Sequence, residues 1–206
     1  ELPYQRIEVD CTQLDIFVQH SFGNKPVRPY ACVAIDVATG FPLAVELCLH
    51  TPDTVHALKT MERAMYGYSK EELMHLGVTN QIQYSGRPQT LVLDHGTEFK
   101  SDSFSSLAQF GIEVEYNPAY SPYRKPFVER FNRSLKDFTS GLPGSTRMPI
   151  KGGKPFTEIG MAKSVINFDE LKMLITRFVF DDYSIKPLNR HVLHCVAKGE
   201  SHGVTP

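Results

Sequence analysis

With 206 residues, 41% of them hydrophobic and 22% charged, the chain has an ordinary globular composition, enough for one main core and an appendage. No apolar run approaches the length of a membrane span. The formal net charge of −1 lacks the basic excess of a domain that holds nucleic acid by bulk electrostatics, so any such contact must come from local patches.

The first residues, ELPYQRIEVD, are neither a signal peptide nor a natural start, and the chain is expected to be excised from a longer protein. From Gln5 the pattern alternates around Ile7 and Val9, which predicts a strand that Asp10 ends. A second strand is predicted over 26–37, and Ala38-Thr39-Gly40 turns it into a third over 41–49, so the chain opens with an antiparallel meander. Asp36, just before that turn, is read as a turn former. Thr51-Pro52-Asp53 opens a helix whose Val55, Leu58, Met61 and Met65 share one face, with Gly67 as its stop. Ser69 and Glu72 box the start of a shorter helix that ends near Gly77.

After a polar loop, the apolar run Thr90-Leu91-Val92-Leu93 fits a buried parallel strand, and it ends in Asp94. A helix over 101–110, a strand over 112–116 and a stiff loop over 117–125 follow. Pro126 suits a first helical position, and Gly141 with Pro143 reads as the stop of the next helix. Its Phe127, Phe131, Leu135, Phe138 and Leu142 form an apolar stripe, opposite which lie Glu129, Arg133 and Lys136. Residues 145–157, rich in Gly, Pro and Lys, read as a mobile basic loop. Asn167 and Glu170 box a last helix over 168–182 with Leu171, Leu174, Ile175 and Phe178 buried, and the tail to Pro206 is polar and extended. The order of elements predicts an α/β fold with a mixed sheet covered by helices. The core spans 1–144, and 145–206 adds the basic loop, a helix and an extended tail that leads towards a C-terminal domain not contained in these residues.

Cys11, Cys32, Cys48 and Cys195 are widely spaced with no C-x-x-C pair, which disfavours a zinc ribbon and predicts reduced, mostly buried thiols. His191, His194 and Cys195 cluster without an evident fourth ligand and are read as surface or packing residues.

The chemistry lies in the acids. Asp10 and Asp94 each end an apolar strand, and Glu129 follows Asp94 by 35 residues on a helix. Either aspartate alone could cap a turn. Three carboxylates at one edge of a sheet would repel one another unless cations neutralise them, and Mg²⁺ suits a few carboxylates plus a substrate phosphate. Such a site serves in-line displacement at phosphorus. Arg124, Lys125, Arg133 and Lys136 surround Glu129 and are the candidate phosphate contacts. Glu98 is assigned to hydrogen-bonding its loop rather than to a metal.

The segments Val9-Asp10-Cys11-Thr12, Leu93-Asp94-His95-Gly96-Thr97-Glu98-Phe99, Asn117-Pro118 and Val128-Glu129-Arg130-Phe131-Asn132, in this order, closely resemble the catalytic core of the DDE transposases and retroviral integrases. Within that superfamily the chain looks most like the TnsB-type and Mu-type bacterial transposases, and Gly141-Leu142-Pro143-Gly144 favours the TnsB branch. The resemblance implies a ribonuclease H-like fold with a mixed five-stranded sheet, and Asp10, Asp94 and Glu129 as ligands of two Mg²⁺ ions, with Mn²⁺ as substitute. It implies a DNA transposase that cleaves transposon 3′ ends and transfers them into target DNA. Such an enzyme would be cytoplasmic and associated with the bacterial nucleoid, and would assemble as a multimer on DNA with other transposition proteins. A retroviral-type integrase, a nuclease of the same fold, and a non-catalytic DNA-binding or assembly module are the alternatives. The chain departs from the family pattern at His95, where Asn is usual, and at Pro126, where Gly is common.

Overall fold

The structure is a computed structural model that describes residues 2–20, 25–94, 104, 106–117, 125–146 and 160–186. His95, Glu98, Arg124, the basic loop over 147–157, and His191, His194 and Cys195 lie outside the described residues. Strands β1 (Arg6–Gln13), β2 (Tyr30–Asp36), β3 (Pro42–Cys48), β4 (Thr90–Leu93) and β5 (Glu113–Tyr116) form one sheet in the order β3-β2-β1-β4-β5. The first three are antiparallel, β2 and β3 joined by a short turn and β1 and β2 by a longer link, whereas β4 and β5 run parallel to β1 after crossovers. At the β2–β3 turn, Asp36 accepts from the backbone and hydroxyl of Thr39 through Oδ2 and from Tyr4 N through Oδ1.

Central β1 and β2 are buried on both faces: Ile7, Glu8 and Val9 are all within 1% of full burial. Helix α1 (Thr54–Tyr66) packs on β2 and β3, while α3 (Pro126–Ser140) packs on β1 and β2; α2 (Lys70–His75) follows α1. The buried face of α1 is not the one chosen from its largest apolar residues. Ala57, Thr60, Met61 and Ala64 are buried, Leu58 and Met65 are half-buried, and Val55 is 56% exposed. Small alanines let the helix lie close to the sheet, and that closeness decides which face turns inward. Between β4 and β5 the described part of the predicted helix ends in a short 3-10 turn, Ser106–Phe110.

Helix α4 (Phe168–Arg177) starts with the reciprocal Asn167–Glu170 capping box and runs on as a π-helical turn, Phe178–Tyr183. Leu171, Ile175, Phe178 and Phe180 belong to the same hydrophobic core as the sheet. The turn after α3 docks on the chain that leaves β1: Phe17 N donates to Gly144 O at 2.8 Å. Gly144 has φ +93°, and a Cβ there would collide with Phe17 O, so this close approach requires glycine.

The expectation of reduced thiols is corrected. Cys11 and Cys32 form a disulfide, because the antiparallel register of β1 and β2 sets them directly opposite, 4.1 Å apart at Cα. A separation of 21 residues in sequence hid that pairing. Cys48 is a free, buried thiol.

Candidate active site

Asp10 and Asp94 are brought together by strand register. The parallel pairs Arg6↔Thr90, Ile7↔Leu91 and Glu8↔Val92 keep one offset, and continuing it beyond the end of β4 sets Asp94 beside Asp10. Side chains alternate along a strand, so Glu8 and Asp10 share one face of β1. That face is the one covered by α3, since both acids hydrogen-bond to it.

The start of α3 is held from β1. Pro126 at the first position has no N–H to leave unpaired, and the next two amides, Phe127 N and Val128 N, donate to Glu8 Oε2 at 2.9 and 2.8 Å. Glu129 N then donates to Lys125 O at 3.2 Å, which completes the first turn. Lys125, the residue before the helix, offers no side-chain cap of its own, so a carboxylate from another element serves instead, where the helix dipole favours negative charge.

With its backbone so placed, Lys125 points inward and its side chain is only 7% exposed. Its ammonium donates to Asp10 Oδ1 at 3.0 Å and Val9 O at 3.1 Å, and forms an ion pair with Asp94 Oδ1 at 2.8 Å. Three oxygens thus lie close around the group. Asp10 is further held by Asn132 Nδ2, which donates to its Oδ2 at 2.8 Å. Burial raises the Asp10 pKa above the usual carboxylate range, Lys125 opposes that rise, and Asp94 adds to it. Glu8 is pushed up to about 7, again chiefly by burial, although its two backbone donors, Lys125 and Arg6 pull the other way. Two carboxylates, Asp10 and Asp94, therefore contact one ammonium, and Glu8 feels it only through its charge.

The donors here are hard oxygens that already enclose one cationic centre, the kind of set that suits Mg²⁺ or Mn²⁺ completed by water and phosphate oxygens. Asn132 Oδ1, on the amide that orients Asp10, is buried with no hydrogen-bond partner and is one further acceptor. Among the described residues no three His, Cys, Asp or Glu side chains converge as a metal-holding group. Asp10 and Asp94 come together, while Glu129 stays exposed in the first turn of α3, one turn before Asn132. Arg133 is exposed and Lys136 half-buried further along the same helix.

Sequence reasoning missed Glu8 and Asn132, and it read Lys125 as a phosphate contact, whereas the side chain is buried against Asp10 and Asp94. Glu8 sits within an alternating strand where only a polar residue on a buried face could have signalled it. Asn132 follows Glu129 by three residues and so lies near its face, a spacing that was legible.

Asp10 does not end its strand as expected, because β1 stays paired with β2 as far as Gln13, whereas Asp94 lies just past the end of β4. A five-stranded mixed sheet in this order, with helices on it, is the ribonuclease H-like architecture of integrase catalytic cores. The TnsB C-terminal domain family model matches residues 8–144, more than half of the sequence, and the chain belongs to that family. The HTLV-2 integrase catalytic core domain, solved with magnesium in a trimeric form, superposes with a TM-score of 0.53 at 14% identity over 92% of each chain. A chain of the simian T-cell lymphotropic virus intasome in complex with the PP2A regulatory subunit B56 gamma gives 0.51 at 15% identity over 91% of this chain. The present chain spans about half of that chain's length (51%). These two likenesses show the fold. Comparison with curated proteins gives no match. No helix among the described residues is long and apolar enough to cross a membrane.

Proposed function

We propose that this domain is the catalytic core of a DDE-type polynucleotidyl transferase, which cleaves the 3′ ends of transposon DNA and joins them to target DNA. The observation that carries this reading is that Asp10 and Asp94, from two parallel strands, hold one cationic centre between them. Asp10, Asp94 and, from the first turn of α3, Glu129 would hold two Mg²⁺ ions. Bound there, the metal lowers the pKa of an attacking water or 3′-OH and stabilises the oxygens of an in-line displacement. Asn132 fixes the orientation of the Asp10 carboxylate, and Glu8 fixes the start of the helix that presents Glu129. Arg133 and Lys136, with Arg124, are the phosphate contacts that position the duplex. Membership of the TnsB C-terminal domain family supports DNA as substrate and other transposition proteins as partners. The likeness to a chain of an intasome supports assembly of several copies on DNA.

Asp10→Asn, Asp94→Asn and Glu129→Gln are each expected to abolish Mg²⁺-dependent strand transfer by the longer transposase, while DNA binding by gel shift changes little. Near wild-type turnover in any of the three removes that residue from the assignment. A second reading, a non-catalytic DNA-binding module, is favoured by the lack of three converging acidic or metal-ligating side chains among the described residues. Mg²⁺-dependent nicking of end-sequence DNA separates the two readings.

A further inference from the structure

We infer that Lys125 is a displaceable internal cation, which holds the Asp10–Asp94 pair together in the metal-free protein and must leave when a divalent ion binds. This rests on the metal site proposed above. Lys125 Nζ lies 3.0 Å from Asp10 Oδ1 and 2.8 Å from Asp94 Oδ1. An Mg²⁺ ion bound through those two oxygens sits about 2.0–2.1 Å from each, and so claims the space the ammonium fills. Two cations cannot share it, because steric overlap and like-charge repulsion act together.

The lysine is suited to such an exchange. Its stem carries four rotatable methylenes and its charge is compact, so the ammonium can swing out without moving the backbone that Glu8 fixes through the amides of Phe127 and Val128. On leaving, it gives up Val9 O as well as both carboxylates, and a phosphate of bound DNA would offer it a new negative partner. Lys125 therefore alternates between the aspartates and the DNA backbone. Metal loading and phosphate binding are coupled through one side chain, and the coupling acts in both directions. The metal-free site meanwhile avoids leaving two neighbouring carboxylates, one of them largely buried, without a counter-charge.

The test is Mn²⁺ binding to the 206-residue chain, followed by calorimetry, for wild type, Lys125→Met and Lys125→Gln. Met keeps the apolar bulk of the stem, and Gln keeps a donor for the carboxylates should the Met variant fail to fold. Removing the competing charge should tighten Mn²⁺ binding at least about tenfold, as expected when a competitor is lost from a two-carboxylate site. A second readout needs no variant. In a short pulse of an amine-acylating reagent, Lys125 should be protected without Mn²⁺ and modified once Mn²⁺ saturates the protein, as read by peptide mass spectrometry. Equal or weaker Mn²⁺ binding by the folded variants, or unchanged protection of Lys125 in a protein that has bound Mn²⁺, overturns the exchange and leaves the metal site standing. If neither wild type nor variants bind Mn²⁺, the metal site and the exchange fall together.

Discussion

Glu8 carries two tasks that pull its charge in opposite directions. Its Oε2 accepts two backbone N–H bonds at the start of α3, which favour the carboxylate, whereas a site only 1% exposed to solvent favours the neutral acid. Burial wins, and the group titrates near 7 rather than 4.5. Because the folded protein keeps this proton up to about pH 7 while the unfolded chain releases it near 4.5, the folded state binds more protons in between. The linked stabilisation is complete below about 4.5, declines as pH rises and is gone above about 7. Asp10, also raised, adds to it with the same sign. A shift of this size corresponds to roughly 3 kcal/mol at most. Urea unfolding of wild type should therefore show lower stability at pH 7.5 than at pH 5. Glu8→Gln, which keeps an oxygen acceptor for Phe127 N and Val128 N but cannot ionise, should flatten that slope. Parallel pH profiles for the two proteins would mean that Glu8 is ionised throughout.

At the level of elements, helix faces were legible only where large residues do the packing. For α3 the predicted stripe holds at Phe131 and Leu135, both fully buried, with Phe127 and Phe138 on its flanks. Val128 and Thr139 join them in the core, which turns the buried face slightly from the one that aromatic spacing suggests. For α1 the disagreement is larger and testable. Met61→Ala should cost about 2–5 kcal/mol, as for a buried methionine that leaves a cavity. Val55→Ala, at a position 56% exposed, should stay within about 0.5 kcal/mol. Denaturant melts of the two variants decide between the faces, and a larger loss from Val55 would mean that α1 is rotated relative to the sheet.

On the scale of the whole molecule, the antiparallel half of the sheet is tied covalently at its centre. The Cys11–Cys32 bond closes a loop of about 20 residues and lies next to Asp10, so it restrains the strand that carries the site. Closing a loop of that length stabilises a fold by about 3 kcal/mol in the chain-entropy account. The Cys11→Ser, Cys32→Ser double variant should be destabilised by about that amount relative to the oxidised protein. Alkylation of the unfolded, unreduced chain should leave Cys11 and Cys32 unmodified until a reductant is added. Immediate alkylation of both cysteines would show that the opposed pair exists as thiols.

By itself the sequence determined the features that depend on near neighbours. Alternation around Ile7 and Val9, the apolar run into Asp94, the turn at Asp36, the capping box at Asn167 and the start of α3 at Pro126 are set within a few residues, by backbone preference and by the need to bury one face. It also carried the resemblance that led to a ribonuclease H-like sheet, although Asp10 proves to lie within β1 rather than at its end. Only the tertiary structure decided what surrounds them. Lys125 meets Asp10 across 115 positions of chain, Glu8 meets Phe127 across 119, and Asn132 meets Asp10 across 122. The Cys11–Cys32 bond and the packing face of α1 depend in the same way on register and on how closely helix and sheet approach. No local pattern encodes which buried donor will reach which buried acceptor, because desolvated polar groups choose partners only once the strands and helices are already packed.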